Sequence, residues 1–197
     1  MQHIDDTPQM PDINLWQHFR QGDKVALGTL ARRHYASLLR YGVTVDADKE
    51  FVEDTIQDLF IALWEKHEAM SIVENIKGYL LTALRHRLLR NKMKLVREKT
   101  WLERLFSIHD VHNSFEMEWI DTEKDRENNR RIQSVMSSLS PRQREVVQLK
   151  FYEGLDNESI ADIMGITKQG VANLMVRTLK DLRFAWEQLV LLLAFFT

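Results

Sequence analysis

The sequence predicts an all-α protein: two small helical domains joined by a linker, the second containing a helix-turn-helix. Three observations carry that reading. Seven Gly and three Pro in 197 residues leave few interruptions, and apolar residues recur every three to four positions instead of alternating. An acidic, Asn- and Asp-rich stretch, SIHDVHNSFEMEWIDTEKDRENNR, separates two such periodic regions. The segment 165–177, GITKQGVANLMVR, has the spacing of the second half of a helix-turn-helix. The boundaries drawn on this basis are a first domain over residues 1–98, an acidic linker over 99–130 and a second domain over 131–197.

Bulk properties narrow the function classes. A hydrophobic fraction of 44% and a charged fraction of 28% suit a soluble globular protein. The absence of cysteine excludes disulfides and thiolate metal sites and suits a reducing, cytoplasmic setting. The acidic, polar start MQHIDDTPQM is no secretory signal. The longest uncharged apolar run, LVLLLAFF, is far short of the ~20 residues that span a bilayer, so direct membrane insertion is not expected. The net charge of −2 hides an uneven distribution. Residues 46–74 hold nine acids against two bases, residues 77–104 nine bases against two acids, and residues 107–130 seven acids against three bases. Blocks this separated are read as meeting different partners.

The first periodic helix of note covers KEFVEDTIQDLFIALWEKHEAM, residues 49–70. Val52, Ile56, Leu59, Phe60 and Leu63 share one face, with Trp64 at its edge. Asp54, Gln57, Asp58, Ile61 and Glu65 form the opposite stripe. Asp54 and Asp58 repel at i,i+4, and Ile61 has nothing local to bury it. This mixture reads as a docking surface for a basic partner. A solvated face is the plainer alternative, and no His or further carboxylate lies on the stripe within reach of Asp54 and Asp58 to complete a metal site.

A basic helix follows in NIKGYLLTALRHRLLRNKMK, residues 75–94, with Asn75 as its cap. Leu80, Leu81, Leu84 and Leu88 form its apolar stripe. Tyr79, Ala83, His86, Arg87, Arg90 and Lys94 lie on one flank, Arg85 and Lys92 on the other. A cationic ridge with an aromatic ring at its start suits a nucleic-acid backbone and a stacked base. Acidic proteins and membrane surfaces also attract basic helices, but here the leucines are wanted for a core.

The C-terminal region is more specific. In SSLSPRQREVV, Ser140 is placed as N-cap, Pro141 at the first helical position and Gln143 to close a capping box. Asp156 is placed to cap a short helix ending at Met164, Gly165 to turn left-handed, and Thr167 to cap the next helix. Ala161, Gly165 and Val171 then have helix-turn-helix spacing, with Val171, Met175, Thr178 and Leu182 facing inward. The outer face offers Lys168, Gln169, Ala172, Asn173, Val176, Arg177 and Lys180.

Taken in order, ED..QDLF..LW at 53–64, IKGYLLTALRHRLLR, LSPRQREVV and the helix-turn-helix resemble the bacterial RNA polymerase sigma factors of the extracytoplasmic-function group. The upstream W..FR.GD..A...L...Y, from Trp16 to Tyr35, is similar too. The resemblance covers about residues 14–96 and 131–183. It implies that Asp54, Gln57, Asp58 and Ile61 bind the clamp helices of core polymerase. It implies that the 69–76 loop and the basic helix, through Tyr79, Arg85, Arg87, Arg90 and Lys94, open the −10 promoter element. It also implies that Lys168, Gln169, Asn173 and Arg177 read the −35 element, and that a membrane-anchored anti-sigma factor is a partner. A stand-alone helix-turn-helix regulator is the alternative.

One departure separates this chain from the family pattern. Gly170, Val171, Ala172, Asn173 and Leu174 stand where Thr-Val-Lys-x-Arg is usual, so two phosphate or base contacts are missing by comparison. The basic helix and the tether to polymerase are expected to supply the remaining affinity. The tail FAWEQLVLLLAFFT has eleven apolar residues in 14; it is read as packing on the second domain or docking with an inhibitor. His109 and His112 have metal-ligand spacing, but only Asp110 is nearby, and no metal site is assigned. With no phosphate loop, catalytic triad order or paired-carboxylate cleft in the sequence, neither an enzyme nor a cofactor is expected.

Overall fold

The structure, a computed structural model, describes residues 10–103, 136 and 138–195. Residues 104–135, with His109 and His112 and most of the segment read from sequence as linker, lie outside the described residues, as do the side chains beyond Met93 in the fourth helix and beyond Phe184 in the last. Among the described residues there are helices and no strands. They are α1 (Asp12–Arg20), α2 (Lys24–Val45), α3 (Lys49–Glu65), α4 (Ile76–Glu103), α5 (Pro141–Val147), α6 (Asn157–Met164) and α7 (Lys168–Phe195). A 3₁₀ turn, His67–Ala69, follows α3, and a π-helical turn, Gln148–Tyr152, extends α5. Helix α4 runs to Glu103, five residues into the segment read from sequence as linker.

The helices start where short acceptor side chains satisfy free backbone donors. Asp23 accepts from the N–H of Val25 at 2.8 Å and that of Ala26 at 3.2 Å. Asp48 accepts from Phe51 N, and Asn75 from Gly78 N. Asp156 accepts from Ser159 N at 2.8 Å. The capping box at Ser140 and Gln143 is formed. Gly165 ends α6 at φ 63°, ψ 41°, a left-handed conformation that favours glycine.

In the first half, Trp16 and Phe19 of α1 pack with Leu30, Leu38 and Tyr41 of α2, all fully buried. Val52, Ile56, Leu59 and Leu63 of α3 meet Leu80, Leu81, Leu84 and Leu88 of α4 in the same core. The apolar faces read from periodicity are therefore the faces buried, except that Phe60 is only partly covered. Gly42 lets α2 approach α3 closely, because a Cβ there would collide with Val52 Cγ1.

The core continues into the second half. Val146 and Leu149, then Ile160, Ala161, Ile163, Met164 and Val171, belong to one cluster with the leucines of α4. Two glutamates sit at this junction, with side chains 8% and 0% exposed. Glu145 Oε1 accepts from the Tyr41 hydroxyl at 2.7 Å and from Arg85 Nε at 2.6 Å. Glu153 accepts from the Ser37 hydroxyl and from Gln148 Nε2 at 3.2 Å, and pairs with Lys77 Nζ at 2.7 Å. Lys77 also reaches the Glu153 carbonyl at 3.0 Å, and Arg40 stands 3.9 Å from the carboxylate.

Each buried carboxylate is thus met by cations and hydroxyls from the other half, as a desolvated charge requires. Burial, then the Glu145 charge and hydrogen bond, hold the Tyr41 phenol well above its ordinary range. Burial works against the Arg85 cation, but the hydrogen bond and charge of Glu145 outweigh it and raise its pKa. Tyr41 is raised in the folded state, so its contribution is complete below about pH 10 and is lost only as pH climbs through the raised value.

Two consequences are measurable. Glu145→Ala leaves the Arg85 charge without its buried partner, a penalty of about 3–5 kcal/mol that parting the halves relieves. Small-angle scattering should therefore show a larger radius of gyration at unchanged helical circular dichroism. An unaltered radius in the folded variant would mean that apolar contact alone joins the halves. Gly42→Ala should lower stability by about 1–3 kcal/mol in urea melts, since α2 and α3 must separate to admit the methyl.

Candidate nucleic-acid and protein interfaces

Helix α3 turns its acidic stripe to solvent. Asp54, Gln57, Asp58 and Glu65 are exposed, and Ile61 among them is 57% exposed. Among the described residues neither Asp54 nor Asp58 has an ion-pair partner. The stripe is fixed from behind by the fully covered Val52, Ile56 and Leu59. Two unpaired carboxylates, an amide and a bare isoleucine on a rigid helix can receive basic and apolar side chains together.

Helix α4 divides its cations. Arg87 is half-buried and Arg90 exposed, and among the described residues neither has an ion-pair partner. Arg85 and Lys92, on the flank assigned to them by periodicity, are both engaged: Arg85 with Glu145 and Lys92 with Asp46 at 3.0 Å. The sequence groups Arg85 with the nucleic-acid contacts, yet in this structure it is turned inward against the second half, while Arg87 and Arg90 remain open to a phosphate. Lys94 lies on the same helix, its side chain outside the described residues. Tyr79, also placed with the nucleic-acid contacts, is half-buried, its ring edge-on to Trp16 at 5.3 Å. Burial raises its phenol pKa, against a smaller opposing effect of the Arg87 charge.

The α3–α4 connection stands over this ridge. Ser71, Ile72, Glu74 and Asn75 are exposed, Ile72 at 66%. A cleft of about 210 Å³ opens beside it, lined by Asn75, Gly78, Tyr79 and Thr82 on one wall and Ser159, Asp162 and Ile163 on the other. Asn75 Nδ2 reaches Ser159 Oγ across the junction at 3.3 Å. The loop and the start of the basic helix therefore abut α6.

Helices α6 and α7 form the helix-turn-helix. Ala161 and Val171 are buried at the crossing, and the Thr167 hydroxyl caps α7 by accepting from Gly170 N at 3.0 Å. Thr178 is fully buried, while Met175 and Leu182 are partly covered. Lys168, Gln169, Asn173, Val176, Arg177 and Lys180 are exposed along the outer face. Gln169 Nε2 donates to Asn173 at 3.0 Å, and Lys168 pairs with Glu158 at 3.2 Å. Both pairs are at the surface, where such interactions are weak and exchange readily with other partners. Leu174, which stands where the family pattern has arginine, packs against the core, so it serves cohesion here.

Sequence reasoning misses Glu145, Glu153 and Lys77. At 100° per residue the two glutamates fall about 80° apart on a regular helix, at opposite edges of one broad face. The π-helical turn between them turns less per residue and brings Glu153 nearer the side of Glu145. The signal that could have found them is a pair of acids in an otherwise apolar and basic stretch. Among the described residues no group of three or more His, Asp or Glu side chains could hold a metal ion, and no helix is long and apolar enough to cross a membrane.

Residues 129–182 match the family model for sigma-70, region 4, which brackets the helix-turn-helix. No curated protein is similar to this chain at a significant level. Among solved structures, CnrH in complex with the cytosolic domain of CnrY aligns with a TM-score of 0.62 at 18% identity, covering 90% of this chain and 97% of CnrH. The sigma factor RpoE in complex with the anti-sigma factor NepR, from Bartonella quintana, aligns with a TM-score of 0.60 at 19% identity, covering 81% and 96%. These likenesses establish the architecture over nearly the whole chain. The chain has the fold of the sigma factor RpoE, and its residues 129–182 match the sigma-70 region 4 model.

Proposed function

We propose that the chain binds core RNA polymerase and directs promoter-specific initiation as a sigma factor of the extracytoplasmic-function type. The observation that carries this reading is a region 4 helix-turn-helix on the same fold as a free acidic stripe and a basic ridge. A stand-alone regulator needs the first of these and has no use for the acidic stripe. In this reading residues 1–98 bind polymerase and the −10 element, 99–130 connect, and 131–197 read the −35 element. Asp54, Gln57, Asp58 and Ile61 meet the clamp helices of polymerase. Arg87, Arg90 and Lys94 track phosphates, Tyr79 stands beside an unpaired base, and Lys168, Gln169, Asn173 and Arg177 face the major groove. Gln169 and Asn173 match the donor–acceptor pattern of adenine.

Arg85 donates its Nε–H to Glu145 and its side chain is 12% exposed, so it enters DNA contact only after the second half moves aside. Promoter engagement through this residue therefore involves parting of the halves. CnrH is in complex with the cytosolic domain of CnrY, and RpoE with the anti-sigma factor NepR. An anti-sigma factor, the partner of RpoE in that complex, is proposed here too, and its membrane anchor is what the family resemblance implies. The apolar tail 184–197 is a proposed part of that contact, though its side chains beyond Phe184 lie outside the described residues.

Run-off transcription with core polymerase, with and without the protein, tests the reading directly: promoter-specific transcripts should depend on the added chain. Asp54→Arg with Asp58→Arg should abolish capture of core enzyme while circular dichroism stays native, because both positions are exposed. Undiminished capture by the folded variant would remove the stripe from the interface. Arg87→Ala with Arg90→Ala should reduce permanganate reactivity of the −10 region. It should also lower the slope of log affinity against log salt by about 0.7–0.9 for each phosphate no longer neutralised. Identical footprints and slopes would exclude the ridge.

A further inference from the structure

Helix α1 lies outside the acidic stripe, the basic ridge and the helix-turn-helix, yet two of its side chains reach the connection between α3 and α4. Arg20 Nε donates to the Met70 carbonyl at 2.6 Å, and Trp16 Nε1 donates to the Ser71 carbonyl at 3.0 Å. Trp16 and Arg20 lie one helical turn apart, so a single face of α1 grips two consecutive carbonyls. Trp16 is 1% exposed, packed edge-on against Phe19 at 5.1 Å and Tyr79 at 5.3 Å.

The entry to the same loop is held as well. His67 stacks on Trp64 at 4.7 Å with the rings 8° from parallel, and its Nδ1 is 2.7 Å from the Trp64 carbonyl. Lys24 Nζ stands over the Trp64 ring at 5.2 Å. Beyond the clamp, the side chains of Ser71, Ile72, Glu74 and Asn75 remain exposed.

This division has a chemical meaning. The donors bind main-chain oxygens, so they fix the path of the loop without occupying any side chain that could meet a ligand. A free loop loses about 1–2 kcal/mol of backbone freedom per residue on ordering. A loop already tied at two carbonyls has met part of that cost before a base arrives.

We propose that Trp16 and Arg20 are positioning residues for promoter opening: they hold the Met70–Asn75 backbone so that its side chains and Tyr79 meet an unpaired base in one geometry. The inference rests on the function proposed above. Its effect is on discrimination at the −10 element, since the loop's contacts sharpen only when its path is fixed. Core binding, which uses the opposite face of α3, is untouched by it.

The test compares wild type with Trp16→Phe combined with Arg20→Met, which keeps an aromatic ring and removes both donors. Arg20→Met and Arg20→Lys alone accompany it; Arg20 lies at the half-buried rim, so these variants keep the test valid should the double variant unfold. Three quantities are read: capture of core polymerase, the ratio of run-off from a transcribed promoter to that from its −10-substituted version, and amide hydrogen exchange over residues 70–75. The expected result is native capture, a ratio lowered about tenfold, the scale of one to two hydrogen bonds, and faster exchange in the loop. Arg20→Lys should recover part of the ratio. An unchanged ratio in a folded variant with faster exchange overturns the positioning role, and unchanged exchange overturns the brace itself. Absence of any transcript with wild-type protein overturns the function proposed above, and the exchange comparison then still decides the brace.

Discussion

A carboxylate removed from water must be matched, and Glu145 is matched entirely from the other half of the molecule. Its oxygen receives the Tyr41 hydroxyl from α2 and the Arg85 guanidinium from α4. Neither donor is a neighbour in sequence, so the contact exists only when both halves are folded and seated together. Glu153 repeats the pattern with Ser37 and Lys77. Around them the apolar cluster runs without interruption from Leu84 to Val146 and Leu149. The apolar area supplies cohesion and the two glutamates supply register, because a shifted docking would strand a charge.

The same junction sets what the molecule can present. Arg85 and Lys77 face inward, while Arg87 and Arg90 of the same helix face outward. The acidic stripe on α3 lies on the far side of that helix's core face and stays open whatever the second half does. In this arrangement of the halves one surface is thus open and the other partly withheld.

Much of this is legible in the sequence, because it depends on local chemistry. Asp156, Gly165 and Thr167 each do what their type does best at a helix end, and they occupy the ends predicted. The leucines of α4 and the Val52–Leu63 face are recovered because burial follows a period of 3.6. The junction is not legible. Its glutamates are aligned by a π-helical turn that a fixed 100° step cannot represent, and their partners in the first half lie between 60 and 116 residues away. The grip of Trp16 and Arg20 is invisible because the acceptors are main-chain carbonyls, which carry no residue signature.

The polar content of the junction also bears on solubility. Two surfaces lined only by leucine would, on separating, expose a patch that adheres to any other apolar surface before the halves could meet again. Here each surface carries its own formal charges, Glu145 and Glu153 on one side and Arg85, Lys77 and Arg40 on the other. Once wetted, these groups hydrate strongly and repel identical surfaces on other copies of the chain. A parted surface is therefore hydrated and held off its own kind on other copies, while its charges favour reclosing on the half to which it is tethered.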